Sequence, residues 1–194
     1  MSKIYFLMGK SSSGKDTIYN RLMSDDSVNL KTIVGYTTRP MRDMETEGKE
    51  YHFVSEEEMR KLEAEGKLIE LRGYNTVHGM WYYFTVEDGQ IDNGADDYLF
   101  IGTLESYEKV REYYGADRVV PIYICVDDGV RLMRALNREM KNESPKYAEM
   151  CRRFLTDEKD FSEENLERLD IKKRFINDDI EVCIAEIKEY INKP

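Results

Sequence analysis

The sequence predicts an α/β protein in which a parallel sheet is covered by helices on both faces and carries a small β-rich insertion. Short apolar runs, typical of strands buried on both faces, alternate with amphipathic segments of helical length. A glycine-bounded loop separates the first apolar run from the first helix. Because parallel strands need crossover connections, this alternation favours helices packed on both sides of one sheet.

The loop has the sequence Gly9-Lys10-Ser11-Ser12-Ser13-Gly14-Lys15-Asp16-Thr17 and directly follows the apolar run 4–8. A strand, a GxxxxGK loop and a helix in this order are the context of a phosphate-binding P-loop. The glycines permit a tight loop whose N–H groups converge on an anion, and the helix start adds further donors. Lys15 can reach the β- and γ-phosphates of a nucleotide. We therefore predict ATP binding by residues 9–17 and a three-layer P-loop NTPase fold.

The residue after Lys15 departs from the common P-loop pattern, in which a serine or threonine hydroxyl ligates magnesium. Asp16 stands there instead, followed by Thr17. Asp16 could bind Mg²⁺ through its carboxylate, Thr17 could supply the hydroxyl one position later, or Asp16 could only favour the first helical turn. We favour a magnesium role for Asp16 and keep Thr17 as the alternative. The predicted cofactor is Mg²⁺, with ATP as co-substrate.

Strands in the first half of the chain are predicted from apolar and β-branched runs. They cover 3–8, 32–37, 50–54, 68–71 and 81–86. The predicted helices are 15–25 and 55–65; the second begins with a capping-box pattern at Ser55 and ends at Gly66. Pro40 and its charged neighbours predict a loop over 38–50, and residues 73–79 are predicted to be a turn or hairpin end.

The second half returns to strand–helix alternation. Strands are predicted over 98–101, 118–126 and 175–177, and helices over 88–93, 103–114, 127–141, 146–159 and 180–191. Thr103 and either Asp127 or Asp128 are the expected N-caps, and Ser144-Pro145 interrupts the helical pattern. The predicted P-loop core therefore comprises 1–34 and 87–194, and the β-rich insertion comprises 35–86.

Composition and charge limit the possible partners. A chain of 194 residues fits one domain, and a net charge of −10 argues against a general nucleic-acid-binding surface. Residues 131–153 nevertheless carry seven basic and three acidic side chains, so this segment is +4 and the remainder is −14. A basic segment in an acidic protein suggests a localised anionic ligand.

The three cysteines, Cys125, Cys151 and Cys183, are odd in number and far apart in sequence. This pattern indicates free thiols in a reducing compartment, and we expect Cys125 and Cys183 in the core. The first apolar run is too short for a signal peptide, and no apolar stretch approaches membrane-spanning length. We expect a cytoplasmic protein with no membrane or nucleic-acid partner; the sequence does not indicate the oligomeric state.

Four further segments carry a more specific pattern. They are Thr37-Thr38-Arg39-Pro40-Met41-Arg42 with Gly48-Lys49-Glu50-Tyr51-His52-Phe53-Val54, then Leu68-Ile69-Glu70, Trp81-Tyr82-Tyr83-Phe84-Thr85, and Ile176-Asn177-Asp178-Asp179. In this order they resemble the guanylate kinase family, a branch of the P-loop nucleoside monophosphate kinases, over most of the chain. The matching family patterns are TTR-x-x-R…G-x-x-Y-x-F-V, F-I/L-E, N-Y-Y-G-S/T and V-N-D-D.

The resemblance implies phosphoryl transfer from ATP to GMP, with 35–86 as the acceptor-binding subdomain. Arg39 and Arg42 would make forked bonds to the acceptor phosphate, and Tyr51 and Tyr83 would donate to the same phosphate. Glu70 would accept from the guanine ring N–H and amine. Thr85 would bond the guanine carbonyl oxygen.

The basic segment at about 131–153 resembles the mobile lid of the family and the helix after it. The resemblance implies that Arg134, Arg138 and Arg153 act with Lys15 and Arg39 in catalysis by neutralising the transferred phosphoryl group. Asn177 stands where the family contacts the adenine of ATP. Arg131 and Lys141 are interpreted as part of a solvated helix face.

Three departures from the family pattern weaken the assignment of guanine. Gly35 replaces a serine, Gly102 replaces an aspartate thought to contact the acceptor base, and the stretch 72–80 is lengthened and carries His78, interpreted as a loop residue. Two alternatives therefore remain. One is a P-loop kinase of another nucleotide or phosphorylated metabolite; the other is a non-catalytic module that binds phosphopeptides. The intact P-loop and the arginines of the lid favour an enzyme.

Overall fold

The computed structural model describes residues 2–76, 79–92, 94 and 96–193. The strands are β1 (Ile4–Gly9), β2 (Leu30–Thr32), β3 (Tyr36–Thr37), β4 (His52–Phe53), β5 (Leu68–Thr76), β6 (Gly79–Val86), β7 (Asp97–Ile101), β8 (Val119–Cys125) and β9 (Arg174–Ile176). The helices are α1 (Lys15–Met23), α2 (Glu56–Ala64), α3 (Leu104–Tyr114), α4 (Asp128–Glu139), α5 (Tyr147–Asp160), α6 (Glu163–Arg168) and α7 (Ile180–Ile191).

The larger sheet has the strand order β2-β7-β1-β8-β9, and all its neighbouring strands are parallel. Every residue of the central strand β1 is buried, and its side chains alternate between two cores. Phe6 packs with α3 and α6 on one face, and Leu7 packs with α1 and α7 on the other. The predicted parallel sheet with helices on both faces is confirmed.

The smaller sheet has the order β4-β3-β6-β5 and is built on the long antiparallel hairpin of β5 and β6. Helix α2 packs Met59 against Phe84 and Val86 of this sheet. The predicted start of α2 is confirmed, because the Ser55 hydroxyl accepts from the N–H of Glu58. Gly66 follows the helix with a φ of +69°, a conformation that favours glycine.

Several predicted boundaries were wrong. The single strand predicted over 32–37 is two strands in different sheets: β2 pairs with β7, and β3 pairs with β4 and β6. The chain leaves the first sheet after the N–H of Ile33 bonds to the Leu99 carbonyl, and the Gln90 side chain then holds both backbone groups of Val34. Residues 73–79 were predicted to be a turn or hairpin end. The antiparallel pairing of β5 and β6 up to Thr76 and Gly79 agrees with a hairpin end, but 73–76 are extended within β5 rather than part of a turn. Residues 77 and 78, including His78, lie outside the described residues.

Two further differences concern helices. The helix predicted over 88–93 is absent from its described part, 88–92, where Asp88 bonds the Gln90 backbone as in a turn. Helix α6 was missed by the sequence analysis, although Ser162 caps it by accepting from the N–H of Asn165. Its Leu166 is fully buried, so packing rather than length stabilises this short helix.

The cysteines differ in environment. Cys183 is buried in the core, where burial raises the pKa of its thiol to about 11. Cys125 is half-buried against the core and Cys151 is exposed, so the prediction of a core position is confirmed fully only for Cys183. All three are free thiols. Among the described residues, every helix is too short or too polar to cross a membrane.

Candidate active site

The P-loop begins at the carboxyl end of the central strand β1 and ends in helix α1. Gly14 is the N-cap of α1 and has a φ of +88°, and Ser12 adopts a left-handed φ of +64°. A Cβ at Gly9 would stand 2.8 Å from both the Ile124 carbonyl oxygen and the Ser13 hydroxyl, so the loop packs closely on β8. The first N–H groups of α1 have no partners within the helix and are available to an anion.

Two hydroxyl groups of the loop are buried without a partner in the described part of the chain. They belong to Ser12 and Ser13, and Ser13 as a residue is only 1% exposed. A buried hydroxyl without a hydrogen bond is costly and calls for a ligand or water. The two hydroxyls therefore mark the P-loop as a site that is completed by a bound group.

Asn177, predicted to contact the adenine of ATP, contacts the P-loop. Its side-chain nitrogen donates to the Ser13 carbonyl oxygen at 2.7 Å, and the residue is 3% exposed. This nitrogen would lie 2.5 Å from a Cβ placed on Gly14. Asn177, which directly follows β9, thus holds the backbone of the P-loop through this hydrogen bond. Its contact with ATP stays a prediction.

Helices α4 and α5 are tied to the P-loop by charged side chains. The Lys10 ammonium pairs with Glu158 at 2.7 Å, and the Ser11 N–H donates to Asp157 at 2.7 Å. Burial by itself raises the pKa of Glu158, but hydrogen bonds from Lys10 and Arg131 outweigh it and leave that pKa lowered. The side chain of Lys10, predicted to bind ATP, is held in this ion-pair network.

Arg131 is the centre of the network, so its interpretation as part of a solvated face was wrong. It is 1% exposed, and its Nε donates to the Ser11 carbonyl oxygen at 3.1 Å. Its guanidinium also pairs with Asp157 and Glu158 and lies 4.8 Å from the ring centroid of Phe154. Sequence reasoning missed this residue because its partners lie in distant segments.

The three lid arginines predicted to act in catalysis surround the P-loop. Arg153 donates to the Ser11 hydroxyl at 3.2 Å, and Arg134 donates to the Asn177 carbonyl oxygen at 3.3 Å. Arg138 and Arg153 line one cleft with Ser11 and Ser12 between α4, α5 and the loop. The structure therefore brings the predicted cations to the predicted phosphate site.

Lys15, Asp16 and Thr17 form the first turn of α1. The Lys15 ammonium contacts the Asp16 carboxylate at 3.3 Å, and Asp16 and Thr17 are both exposed. Carboxylate and hydroxyl oxygens are ligands that Mg²⁺ accepts, and Mg²⁺ usually keeps substrate phosphates and waters as its other ligands. No cluster of three or more metal-ligating side chains occurs among the described residues.

Arg39, Tyr51 and Tyr83, three of the residues predicted to bind the acceptor phosphate, form a cluster in the smaller sheet. The Arg39 guanidinium lies 5.3 Å from the Tyr51 ring centroid, and the Tyr51 and Tyr83 rings meet edge to face at 5.5 Å. Burial raises the pKa of Tyr51; the charges of Tyr83 and Asp16 raise it further, whereas those of Arg72 and Arg39 lower it. Tyr51 therefore contacts both Arg39 and Tyr83.

Glu45 holds Arg39 in place. Two Arg39 nitrogens donate to the two Glu45 oxygens at 2.6 and 2.5 Å, and Arg39 is 4% exposed. The hydrogen bonds from Arg39 lower the pKa of Glu45, against the effect of burial. The Nε of Arg39 is buried without a partner in the described part of the chain. Arg42 is exposed nearby, and its backbone N–H also donates to Glu45.

The two residues predicted to contact the acceptor base are in direct contact. The Thr85 hydroxyl donates to Glu70 at 2.8 Å, and both residues are buried, at 2% and 5% exposure. Glu70 also pairs with Arg72, whose Nε lies 2.7 Å from one carboxylate oxygen. The sequence analysis missed Arg72, although its position two residues after Glu70 places both side chains on one face of β5.

The two glycines that depart from the family pattern have different surroundings. A Cβ on Gly35 would meet the Phe84 carbonyl oxygen at 3.6 Å and the Tyr51 ring at 3.7 Å, which are ordinary contacts. A Cβ on Gly102 would stand 2.6 Å from both the Phe6 ring and the Ser106 hydroxyl. A Cβ can therefore be accommodated at Gly35, whereas at Gly102 its place is taken by Phe6 and Ser106.

The fold and the site define a protein of the P-loop NTP-binding class, with a second sheet that carries buried cationic and hydroxyl groups. The family model for guanylate kinase matches residues 1–194, and the chain belongs to the guanylate kinase family. It is 28% identical to guanylate kinase of Porphyromonas gingivalis, covering 98% of this chain and 97% of the relative. It is 30% identical to guanylate kinase of Brucella melitensis, covering 94% of this chain and 78% of the relative.

A solved structure supports the fold independently. The crystal structure of guanylate kinase from Anaplasma phagocytophilum matches with a TM-score of 0.62 at 24% identity, covering 98% of this chain and 84% of that chain. The identity is low, so this likeness bears on the fold alone.

Proposed function

We propose that this protein is a nucleoside monophosphate kinase that transfers the γ-phosphoryl group of ATP to GMP, giving ADP and GDP. The main support is that each of the two sheets carries groups suited to bind an anion. These are the P-loop, where the hydroxyls of Ser12 and Ser13 are buried without a partner in the described part of the chain, and the Arg39–Tyr51–Tyr83 cluster. A kinase whose acceptor is itself a phosphate needs two such sites, one for the nucleotide phosphates and one for the acceptor phosphate.

In the proposed reaction, an oxygen of the acceptor phosphate attacks the γ-phosphorus, the bond to the β–γ bridging oxygen breaks, and ADP leaves. The protein contributes position and charge rather than covalent chemistry. The backbone N–H groups of the P-loop and Lys15 hold the β- and γ-phosphates. Arg39, Arg42 and the hydroxyls of Tyr51 and Tyr83 hold the acceptor phosphate.

The arginines of the proposed lid, about residues 131–153, complete the site. Arg134, Arg138 and Arg153 would neutralise the charge that develops on the transferred group, since they already border the P-loop. Closure of this segment would exclude water from the phosphates. We assign residues 35–86 to the acceptor-binding subdomain and residues 1–34 and 87–194 to the P-loop core.

Mg²⁺ would be held by the Asp16 carboxylate, with Thr17 as the alternative ligand. When bound, the ion would reduce the negative charge of the nucleotide phosphates. The exposed position of Asp16 leaves room for the phosphates and waters that Mg²⁺ prefers as ligands. The three free cysteines are consistent with a protein of the reducing cytoplasm, which is where we place this activity.

The direct test is a coupled assay of ADP formation from Mg·ATP with GMP, AMP, CMP, UMP and dTMP as parallel acceptors. We expect GMP to be preferred by at least about tenfold, which corresponds to one recognised hydrogen bond to a charged group. Lys15→Ala should reduce turnover by at least about 100-fold because it removes a cation from the transferred phosphates. Lys61→Ala, an exposed position on α2, is the matched control.

Two results would contradict the proposal in different ways. Lys15-dependent ATP binding without turnover of any nucleotide would show that the acceptor is another phosphorylated metabolite. That alternative is kept because Gly35 and Gly102 lack the side chains found in the family. In addition, Arg72 forms an ion pair with Glu70, the residue predicted to bind the guanine base. Absence of ATP binding would instead favour a non-catalytic binding module.

A further inference from the structure

The proposed acceptor-base site contains a half-buried cation, Arg72, that the proposed reaction does not use. Arg72 donates to both carboxylate oxygens of Glu70, from Nε at 2.7 Å and from Nη2 at 3.1 Å. Its Nη1 donates to the Thr103 hydroxyl at 3.1 Å, which links β5 to the N-cap of α3. The Arg72 side chain is 13% exposed and that of Glu70 is 1% exposed.

The Glu70 carboxylate is almost fully occupied by the protein itself. An ionised carboxylate offers about four lone-pair positions, two on each oxygen. One oxygen accepts from Thr85 and from Arg72, and the other accepts from the Arg72 Nε. A single accepting position remains, so Glu70 can take one N–H of a ligand but not two.

Arg72 has donors to spare. A guanidinium carries five N–H groups, of which two reach Glu70 and one reaches Thr103. The other donors belong to a group that is ionised at any physiological pH. The site therefore offers a ligand one hydrogen-bond acceptor, on Glu70, beside a cationic hydrogen-bond donor, on Arg72.

We propose that Arg72 is a specificity-determining residue and that the acceptor base is recognised by one ring N–H, bonded to Glu70, and the adjacent ring carbonyl oxygen, bonded to Arg72. The inference rests on the proposed kinase function and defines its substrate class as 6-oxopurine nucleoside monophosphates. Guanine and hypoxanthine both present this pair of groups. Adenine presents the reverse pattern, an accepting ring nitrogen beside a donating amine.

The guanine amine has no counterpart in this arrangement. Accepting it would require the second carboxylate oxygen, which is occupied by Thr85 and Arg72. We therefore expect the protein to distinguish weakly between GMP and IMP, which differ only in that amine, and to reject AMP.

The test is calorimetric binding of GMP, IMP and AMP to the full-length wild-type chain, followed by kcat/KM for the same three acceptors. We expect GMP and IMP to agree within about threefold, both in Kd and in kcat/KM. AMP should be at least about tenfold worse in both quantities. IMP more than about tenfold weaker than GMP would overturn the inference while leaving the kinase function standing. Lys15-dependent ATP binding without binding of GMP or IMP would instead overturn the proposed function.

Arg72→Met tests the role of the arginine itself. Because the second Glu70 oxygen becomes free to accept the amine, the GMP-to-IMP ratio should rise by about tenfold, whatever happens to overall activity. An unchanged ratio would show that Arg72 does not determine specificity. Arg60→Met is the control, since Arg60 is an exposed arginine of α2 paired only with Glu56 among the described residues.

Removal of Arg72 leaves a buried carboxylate without its counter-ion, so this variant could unfold. Arg72→Lys keeps the charge but provides one ammonium in place of two forked donors. A GMP-to-IMP ratio between those of the wild type and Arg72→Met supports the inference, and a ratio equal to the wild-type value contradicts it. The wild-type ratio stays decisive if neither variant folds.

Discussion

The Nε of Arg131 donates to the carbonyl oxygen of Ser11 at 3.1 Å, so a buried guanidinium of helix α4 holds the backbone of the P-loop. The same guanidinium pairs with Asp157 and Glu158 of α5. Asp157 in turn accepts from the Ser11 N–H, so both polar backbone groups of Ser11 are held by these two helices. The geometry of the loop thus depends on ion pairs between segments distant in sequence.

Arg131→Met should destabilise the protein by about 3 kcal/mol, because Asp157, at a partly buried site, loses its ion pair with Arg131 while Glu158 keeps Lys10. ATP affinity should fall as well, since Ser11 loses a contact that fixes the loop. Urea unfolding and calorimetric ATP titration would measure the two effects. The control is Arg152→Met, an exposed arginine of α5 that pairs with Glu149. Equal stability of the two variants would contradict the role of Arg131.

Gly14→Ala should damage the P-loop more than a simple backbone effect predicts. A non-glycine residue at positive φ costs about 1–2 kcal/mol, and at Gly14 the new Cβ would also stand 2.5 Å from the Asn177 side chain. Gly66→Ala is the matched control, because Gly66 has a φ of +69° and a Cβ there would meet no described atom within 4 Å apart from its chain neighbours. We expect loss of ATP binding only for Gly14→Ala; equal stability losses with retained ATP binding would exclude a role for the Asn177 contact.

The two family departures should respond differently to substitution. Gly35→Ser should change the free energy of unfolding by less than about 0.5 kcal/mol, because its Cβ meets only ordinary contacts. The added hydroxyl lies in the acceptor site and should lower the KM for GMP. Gly102→Asp should cost more than about 2 kcal/mol, because the new Cβ would overlap the buried Phe6 ring. Chemical unfolding of both variants and a GMP titration would check this prediction, which fails if Gly102→Asp is tolerated as well as Gly35→Ser.

Acid should weaken the contact between Glu45 and Arg39. Hydrogen bonds from Arg39 lower the pKa of Glu45 in the folded state, so the pair stabilises the fold above the ordinary glutamate pKa. This contribution is lost as the pH falls through the lowered pKa. The stability difference between wild type and Glu45→Gln should therefore be largest near neutral pH and should shrink below about pH 4.

Urea unfolding across this pH range is the measurement. Glu63→Gln, at an exposed position of α2, should show no such pH-dependent difference from wild type. A constant difference between wild type and Glu45→Gln at every pH would mean that the substitution acts through packing instead.

Local patterns were sufficient for α3 and α7, which carry their own capping residues, but not for the short α6, which Ser162 caps. Thr103 caps α3 as predicted, with the Ser106 N–H bonded to its hydroxyl, and α7 was predicted with the bounds that it has. The prediction of a single strand over 32–37 was wrong because an apolar run does not indicate which sheet it joins. The Gln90 side chain, more than fifty residues away, fixes Val34 at the point where the chain changes sheet.

The amino-acid sequence by itself determined the parallel sheet, the position of the P-loop and the residue types needed to bind two phosphates. These follow from periodicity, glycine spacing and short motifs, which are local properties of the chain. Only the tertiary structure decided that Arg131 is buried and that Arg72 forms an ion pair with Glu70. The charge state of a side chain can be inferred from its type, but its counter-ion is set by which strands and helices pack together.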